Sequence, residues 1–317
     1  MADFTEFHDE LRSVAGDLLA KDRSVEWSTL VDTGWVGLEV PEQFGGAGAS
    51  FAEAAVVCEE IGRAASATSF LGSAVLAVGA LNAVQPSTTR DEMLADIASG
   101  ATRVAVALEP HDFVPDAEGA DRILIVTDRG VAVTGEGATP RPVVDETRRL
   151  AAVETGAEVI ETLPFAGDPA VAVQRLHDRA AAAIACDSLG LSEAMLAATV
   201  GYVKVRQQFG RAIGSFQAVK HACADMQVGI AVSRQLVGAA VRAVAEESPD
   251  AGAAVAMAKS YACSTAVDIA GKAMQLHGGI GYTWESGIHV YLKRATLNRS
   301  LFGSPAGHRK RLTQRYL

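Results

Sequence analysis

The sequence is short of basic charge, of paired cysteines and of long unbroken apolar runs, and each shortage removes a class of function. Lysine and arginine number 28 against 38 aspartates and glutamates, a formal charge of −10, and no basic run forms a stripe. Nucleic-acid binding needs a cationic face to neutralise phosphates, so no nucleic-acid partner is expected. The four cysteines, Cys58, Cys186, Cys223 and Cys263, lie far apart, without CxxC or Cys/His ligand spacing. They read as buried thiols in a reducing compartment rather than as disulfides or ligands, and no metal site is expected. Charges break the apolar stretches well short of the ~20 residues that a membrane span requires. The opening MADFTEFHDELRS is acidic where a secretory signal would be basic and then apolar. The expectation from these absences is a soluble cytoplasmic protein that does not engage a membrane.

What the chain does have is length and apolar mass. Its 317 residues are enough for two or three packed units, and 49% apolar residues rich in alanine suit a large helical core. Residues 1–103 read as an N-terminal helical domain. Phe7, Leu11, Val14 and Leu18 fall on one helical face. GWVGLEVPEQFGGAG then runs extended into Pro41 and turns at Gly45–Gly48, and a helix starts near Ser50, where Glu53 completes a capping box. Residues 104–165 change to short β-branched runs, VAVAL, RILIVT, GVAVTG and LAAVETG, separated by Pro, Gly and Asp. This predicts a reduced middle β-domain, since about 60 residues is near the lower limit for an independent domain. Residues 166–317 return to helix as a C-terminal bundle. Leu191, Met195, Ala198, Tyr202, Val205 and Phe209 form a seam in steps of three and four. A second long helix runs from Phe216 towards Val244, and a third from about Ala253 to Leu276.

Two stretches in the bundle carry candidate chemistry. RQQFGRAIGSFQAVKH ends one helix at Gly210 and opens the next near Ser215, which gathers Arg206, Phe209 and Gln217 around a turn. An arginine can hold a phosphate bidentately, a phenyl ring can cover a nucleobase, and an amide can bond a pyrophosphate or ribose. The plainer reading is a terminal arginine meeting the helix dipole beside a core phenylalanine. QLHGGIGYTWE follows the third helix, with Gln275 before Gly278 and Gly279. Such glycines let backbone N–H groups approach an anion, or simply stop the helix. His277 reads as a packed histidine and Glu285 as a cap or surface ion-pair partner.

Taken together and in this order, these stretches resemble the acyl-CoA dehydrogenase family, and so does GWVGLEVPEQFGGAG in the N-terminal segment. The resemblance covers essentially the whole chain and implies a mainly α fold: helical N-domain, trimmed β-barrel-like middle domain, four-helix bundle. It implies FAD as cofactor. By the match, Arg206, Phe209, Gln217, Gln275, Gly278 and Gly279 hold the ADP portion of a flavin belonging mainly to a neighbouring subunit.

The sequence departs from the family pattern where the chemistry should be. The family reaction needs a carboxylate to remove the α-proton of an acyl-CoA while the β-hydride goes to the flavin. Counting forward from the glycine loop, the YEGT-type motif bearing that glutamate falls on Leu301, Phe302, Gly303 and Ser304. Phe302 stands where the base should be, and phenylalanine accepts no proton. Some members carry the glutamate earlier, but the equivalent region RAAAAIACD places Ala180 there, with Asp178 and Asp187 pointing elsewhere. In the β-domain the TExxxGSD-like stretch reads LEPHDF, and Trp27, Trp35 and Trp284 all lie outside that domain. A full flavin-ring and acyl-CoA pocket is therefore not expected, and no catalytic residue is assigned.

Shortened members of this kind pair with full-length subunits in heterotetramers, notably in actinobacterial enzymes acting on steroid-derived CoA thioesters. The implied function is a flavoprotein oxidoreductase subunit of lipid metabolism, here steroid degradation. It would support α,β-desaturation of a bulky acyl-CoA bound mainly by the partner, with electron-transfer flavoprotein as acceptor. Two alternatives stand beside it: a self-sufficient homodimeric dehydrogenase with an atypical base, and a scaffold that binds no cofactor.

Overall fold

The helix expected after Ser50 begins there, and for the expected reason. In the computed structural model, Glu53 accepts from the Ser50 N–H at 2.8 Å while the Ser50 hydroxyl accepts from the Ala52 N–H at 3.1 Å. The structure describes residues 5–135, 137–154 and 156–314; Met1–Phe4 of the acidic opening and Thr155 of the LAAVETG run lie outside them. The first segment is helical: α1 (Thr5–Leu19), α2 (Trp27–Asp32), α3 (Phe51–Ala64), α4 (Val78–Asn82) and α5 (Thr88–Ser99). Residues Leu71–Ala77, just before α4, form a fully buried π-helical stretch. Two expectations need correction. The buried side of α1 is Ala15 and Leu19, whereas Phe7 and Val14 are about half exposed. The stretch before Pro41 is not extended, because Trp35–Gly37 closes a 3-10 turn around the buried Trp35 indole.

The middle segment folds as two small sheets. Strands β1 (Val104–Ala107), β3 (Arg122–Thr127), β4 (Gly130–Thr134) and β7 (Val159–Leu163) make one, in the order β1-β3-β4-β7. Strands β2 (Val114–Pro115), β6 (Leu150–Val153) and β5 (Ala138–Arg141) make the other, in the order β2-β6-β5. β1 pairs with β3 in parallel register, Val104 beside Arg122, and β3 turns directly into antiparallel β4. Side chains alternate along a strand. Ala105, Ala107, Ile123 and Ile125 accordingly fill a small core shared with Val114, Ala151 and Val153 of the second sheet, while Val104, Val106, Leu124 and Val126 join the helical core.

The last segment carries α6 (Pro169–Val205), a hairpin of β8 (Gln207–Gln208) and β9 (Arg211–Ala212), α7 (Gln217–Ala245), α8 (Ala251–His277), α9 (Ile288–Ser300) and α10 (Pro305–Gln314). Asp168 caps α6 by accepting from the Val171 N–H at 3.1 Å, with Pro169 at the first helical position. α3 and α6 cross almost backbone to backbone. A Cβ on Gly62 would lie 2.0 Å from the Asp187 carbonyl oxygen, and one on Gly190 would lie 1.8 Å from that of Glu59. Only glycine permits that approach. The expected α6 seam holds only in part: Leu191 and Met195 are buried, but Ala198, Val205 and Phe209 are exposed. By length and composition α6 and α7 could each cross a membrane, which the sequence reading did not anticipate; α6 is mostly buried in the fold, and α7 keeps an open face.

A buried ionic cluster pins the β-domain to the bundle. Arg294 of α9 donates to both Asp187 oxygens, at 3.0 and 2.6 Å through its nearest contacts, and Arg148 from the β-domain reaches the same carboxylate at 2.9 Å. Asn298 donates to Asp187 at 2.7 Å. Burial alone would raise the Asp187 pKa, but the Arg294 and Arg148 guanidiniums outweigh it and hold the carboxyl below its usual range. The four cysteines are free; three are buried and Cys223 is half-buried.

Candidate functional site

The six residues singled out for cofactor binding all lie on the surface. Arg206 caps the C-terminus of α6, and its side chain makes no hydrogen bond or ion pair among the described residues. Beyond it, β8 and β9 form a two-residue hairpin whose central residues, Phe209 and Gly210, have φ of 54° and 73°. Positive φ at both positions is the geometry of a type I′ turn, which a phenylalanine adopts only under strain. The turn presents Phe209, 90% exposed, with its ring edge-on to Phe216 at 6.1 Å between centroids. Arg211 stacks its guanidinium over Phe216 at 4.1 Å. Gln217, the first residue of α7, is exposed beside this pair.

The glycine loop sits at the end of α8. Gly278 takes φ 61° and ψ −142°, outside the left-handed cap region, and the next residues wind into a 3-10 turn, Gly278–Tyr282. No atom lies within 4 Å of where a Cβ would stand on Gly278 or Gly279, so their outer side is open to a ligand. Gln275 is exposed and accepts from Lys272 at 3.3 Å. The two motifs meet through their neighbours. Tyr202, one turn before Arg206, stacks on His277, the residue before Gly278, at 4.4 Å. His277 is buried and its Nδ1 lies 2.8 Å from the Ala273 carbonyl oxygen, as befits a packed histidine. Glu285 is fully exposed, and a hydrogen bond from its own backbone N–H, with a further one from the Thr283 side chain, lowers its pKa.

A second feature lies elsewhere. A cavity of about 850 Å³ opens between the β-domain and α6, α9 and α10. Phe302 lines it, with φ of 56°, just before Gly303. The sequence departures led to the expectation of no full flavin-ring and acyl-CoA pocket; the β-domain does supply one wall of this open cavity. Asp178 and Asp187 do not reach it as free carboxylates. Asp178 pairs with Arg311 at 2.7 Å, and Asp187 lies in the buried cluster. The titratable groups on the wall include Glu109, exposed in the loop after β1, and His177 of α6, whose pKa burial lowers. Behind the Phe302 loop the buried Lys259 donates to the carbonyls of Asn298 at 2.8 Å and Gly303 at 3.0 Å. Burial lowers the Lys259 pKa.

Arg211, His308 and Lys259 were not found from the sequence, and Tyr202 was read only as part of the α6 seam. Only Arg211 had a local signal, its place immediately after the Phe-Gly turn.

Comparison with known proteins agrees with this architecture. Residues 5–101 match the acyl-CoA dehydrogenase N-terminal domain, and residues 170–317 match the acyl-CoA dehydrogenase C-terminal domain. The chain is 38% identical over 299 residues to acyl-CoA dehydrogenase IpdE2 of Mycobacterium tuberculosis, covering 93% of this chain and 88% of that one. Among solved structures it resembles a variant of the steroid ACAD Tcur3481-Tcur3483, with TM-score 0.85, 23% identity and 98% of each chain covered. It also resembles a chain of the ChsE4-ChsE5 complex from Mycobacterium tuberculosis, with TM-score 0.83, 23% identity and coverage of 98% and 96%.

Proposed function

Because this chain belongs to the acyl-CoA dehydrogenase family, we propose that it is the short subunit of a heteromeric enzyme and completes a flavin site centred on a full-length partner. The carrying observation is Phe209: a phenyl ring 90% exposed at a strained turn, beside Arg206, whose side chain has no partner among the described residues. Beyond the edge contact of Phe209 with Phe216, an isolated fold gains little from either; a neighbouring chain's adenine and pyrophosphate would cover both. In this reading Arg206 holds phosphate oxygens, Phe209 packs on the adenine, and the Gln217 and Gln275 amides bond the adenosine part. Gly278 and Gly279 leave space for close backbone approach. FAD, when bound, supplies the hydride acceptor of the family reaction.

The chain itself supplies no base in the family position, where Phe302 stands. Proton removal from the acyl-CoA therefore falls to the partner, whose pocket also selects the acyl group. The IpdE2 likeness and the steroid ACAD among the structural neighbours support a bulky, steroid-derived thioester as substrate. The two-chain ChsE4-ChsE5 neighbour supports a heteromer, proposed as two short and two full-length subunits, with electron-transfer flavoprotein as acceptor. The open apolar face of α7, including Val228 and Val232, supports a large subunit interface.

The visible spectrum tests the reading. Protein purified alone should be colourless and should turn over no acyl-CoA with an artificial acceptor, while the co-expressed complex should be yellow. A second reading, a self-sufficient homodimer with an atypical base, draws on Glu109 at the cavity wall. It requires yellow protein and turnover on the order of 1 s⁻¹ or more from the chain alone. A colourless complex would leave only the scaffold.

A further inference from the structure

We propose that Arg211 is a positioning residue of the flavin site: it steadies the ring of Phe216, and through that ring holds Phe209 where an adenine would pack. This role presupposes the flavin site described above and falls to a residue that the family motifs leave unassigned.

Phe209 cannot hold its place unaided. Its φ of 54° lies in the left-handed region, which a side chain disfavours, and at 90% exposure no core contact compensates. The hairpin that carries it has only two paired positions, Gln207 with Ala212 and Gln208 with Arg211. Two-stranded ribbons of that size are marginal in water, so the turn depends on side-chain contacts. Among the described residues, Phe209 makes one ring contact, edge-on with Phe216 at 6.1 Å between centroids.

Phe216 is a fixed point at its backbone and a looser one at its ring. Its N–H donates to the Ile213 carbonyl oxygen at 3.2 Å, and its own carbonyl oxygen accepts from the Lys220 N–H at 3.1 Å in the first turn of α7. The residue is only half-buried, so the fold leaves part of it uncovered. Arg211 supplies cover, with its guanidinium carbon 4.1 Å from the ring centroid. The Arg211 side chain is exposed and makes no ion pair or hydrogen bond among the described residues, so the stack is what orients it. A planar, weakly hydrated guanidinium suits an aromatic face. Arg211, Phe216 and Phe209 thus form a continuous series of contacts that ends on the ring offered to the adenine. A ring fixed before the cofactor arrives surrenders less freedom on binding, which raises affinity.

Two measurements test the role. In the chain alone, 4-fluorophenylalanine at position 209 reports the ring by fluorine NMR. Arg211→Gln should move that resonance towards the position of a free, solvated fluorophenyl ring, with Tm unchanged because the residue is exposed. In the complex with the co-expressed partner, FAD affinity is read from flavin fluorescence as the flavin-stripped protein is titrated. Arg211→Gln should weaken FAD by roughly twofold to fivefold, the worth of one exposed cation–π contact. In a Phe209→Leu background the same change should have no further effect, because the ring it acts through is gone. An equal loss with and without Phe209 would mean that the guanidinium bonds phosphate directly, and would overturn the proposal. So would an unmoved fluorine resonance. If Phe209→Leu weakens FAD and Arg211→Gln does not, the flavin site stands and Arg211 is removed from it. If Phe209→Leu itself leaves FAD affinity unchanged, the flavin site falls, and this role falls with it.

Discussion

The imidazole of His277 stacks on the phenol of Tyr202, with centroids 4.4 Å apart and planes 21° from parallel. The Tyr202 hydroxyl also reaches the His277 carbonyl oxygen at 3.4 Å, a long and weak bond. This contact ties the end of α6 to the end of α8, and with them the two motifs that carry Arg206 and Gly278. Removing the ring should therefore act on stability and on the site together. Tyr202→Ala is expected to cost about 1–3 kcal/mol in urea denaturation, less than a fully buried aromatic would. It should also reduce flavin content of the assembled enzyme. Tyr202→Phe keeps the stack and should cost under about 1 kcal/mol, with flavin content preserved. Equal losses in both variants would show that the hydroxyl, not the stack, joins the motifs.

Asp187 holds two guanidiniums in the buried cluster, and its loss should be among the most damaging single changes in the chain. Asp187→Ala leaves Arg294 and Arg148 buried without a counter-charge, which is expected to cost about 3–5 kcal/mol. The carboxyl's folded pKa is depressed, so its contribution is present above the ordinary aspartate range. That contribution is lost as pH falls below the ordinary range towards the folded value. Urea midpoints measured between pH 7 and pH 3 should drop more steeply for the wild type than for Asp187→Asn.

Much of this fold is readable in residue patterns because local chemistry decides it. The Ser50–Glu53 box starts α3, and glycine and polar residues bracket α7 and α8 close to where their apolar periodicity places them. The α6 seam shows the limit of periodicity. Leu191 and Met195 face the core, but Val205 and Phe209 face outward in the same pattern. Apolar residues repeat alike whether the surface covering them is this chain or another, so the sequence alone does not separate core from interface. The cavity was illegible for a different reason. Its walls come from residues near 106, 142, 177 and 300, brought together by β-domain packing rather than by any local motif.

His308 also makes a pH prediction. Its folded pKa, about 4, is below the ordinary 6.5, because burial disfavours the charged ring. Between these values the unfolded chain binds a proton that the folded chain does not, so stability falls as pH drops from 6.5 towards 4. His177 is shifted in the same direction and contributes with the same sign. His308→Gln should flatten, but not abolish, the slope of urea midpoint against pH in that window. A variant as steep as the wild type would show that the histidine titrates alike in both states.

Arg206 provides the sharpest separation between a cofactor residue and a helix end. Its backbone N–H caps α6 by donating to the Tyr202 carbonyl, while its guanidinium has no partner among the described residues, so little of the fold depends on the side chain. If it holds flavin phosphates at a partly desolvated interface, each charge-assisted bond is worth roughly 1.5–3 kcal/mol. Arg206→Ala in the assembled enzyme should then weaken flavin retention by about one to two powers of ten. Activity should return with excess FAD, because binding is impaired and the partner's catalytic groups are untouched. Arg206→Lys should recover only part of the loss, since an ammonium cannot make the planar fork. A helix-end role predicts otherwise: loss of a favourable dipole contact worth about 0.3–1 kcal/mol, a slightly lower Tm and unchanged flavin. A mutant complex that keeps its full complement of FAD through gel filtration would remove Arg206 from the site, and the exposed Phe209 beside it would then need another explanation.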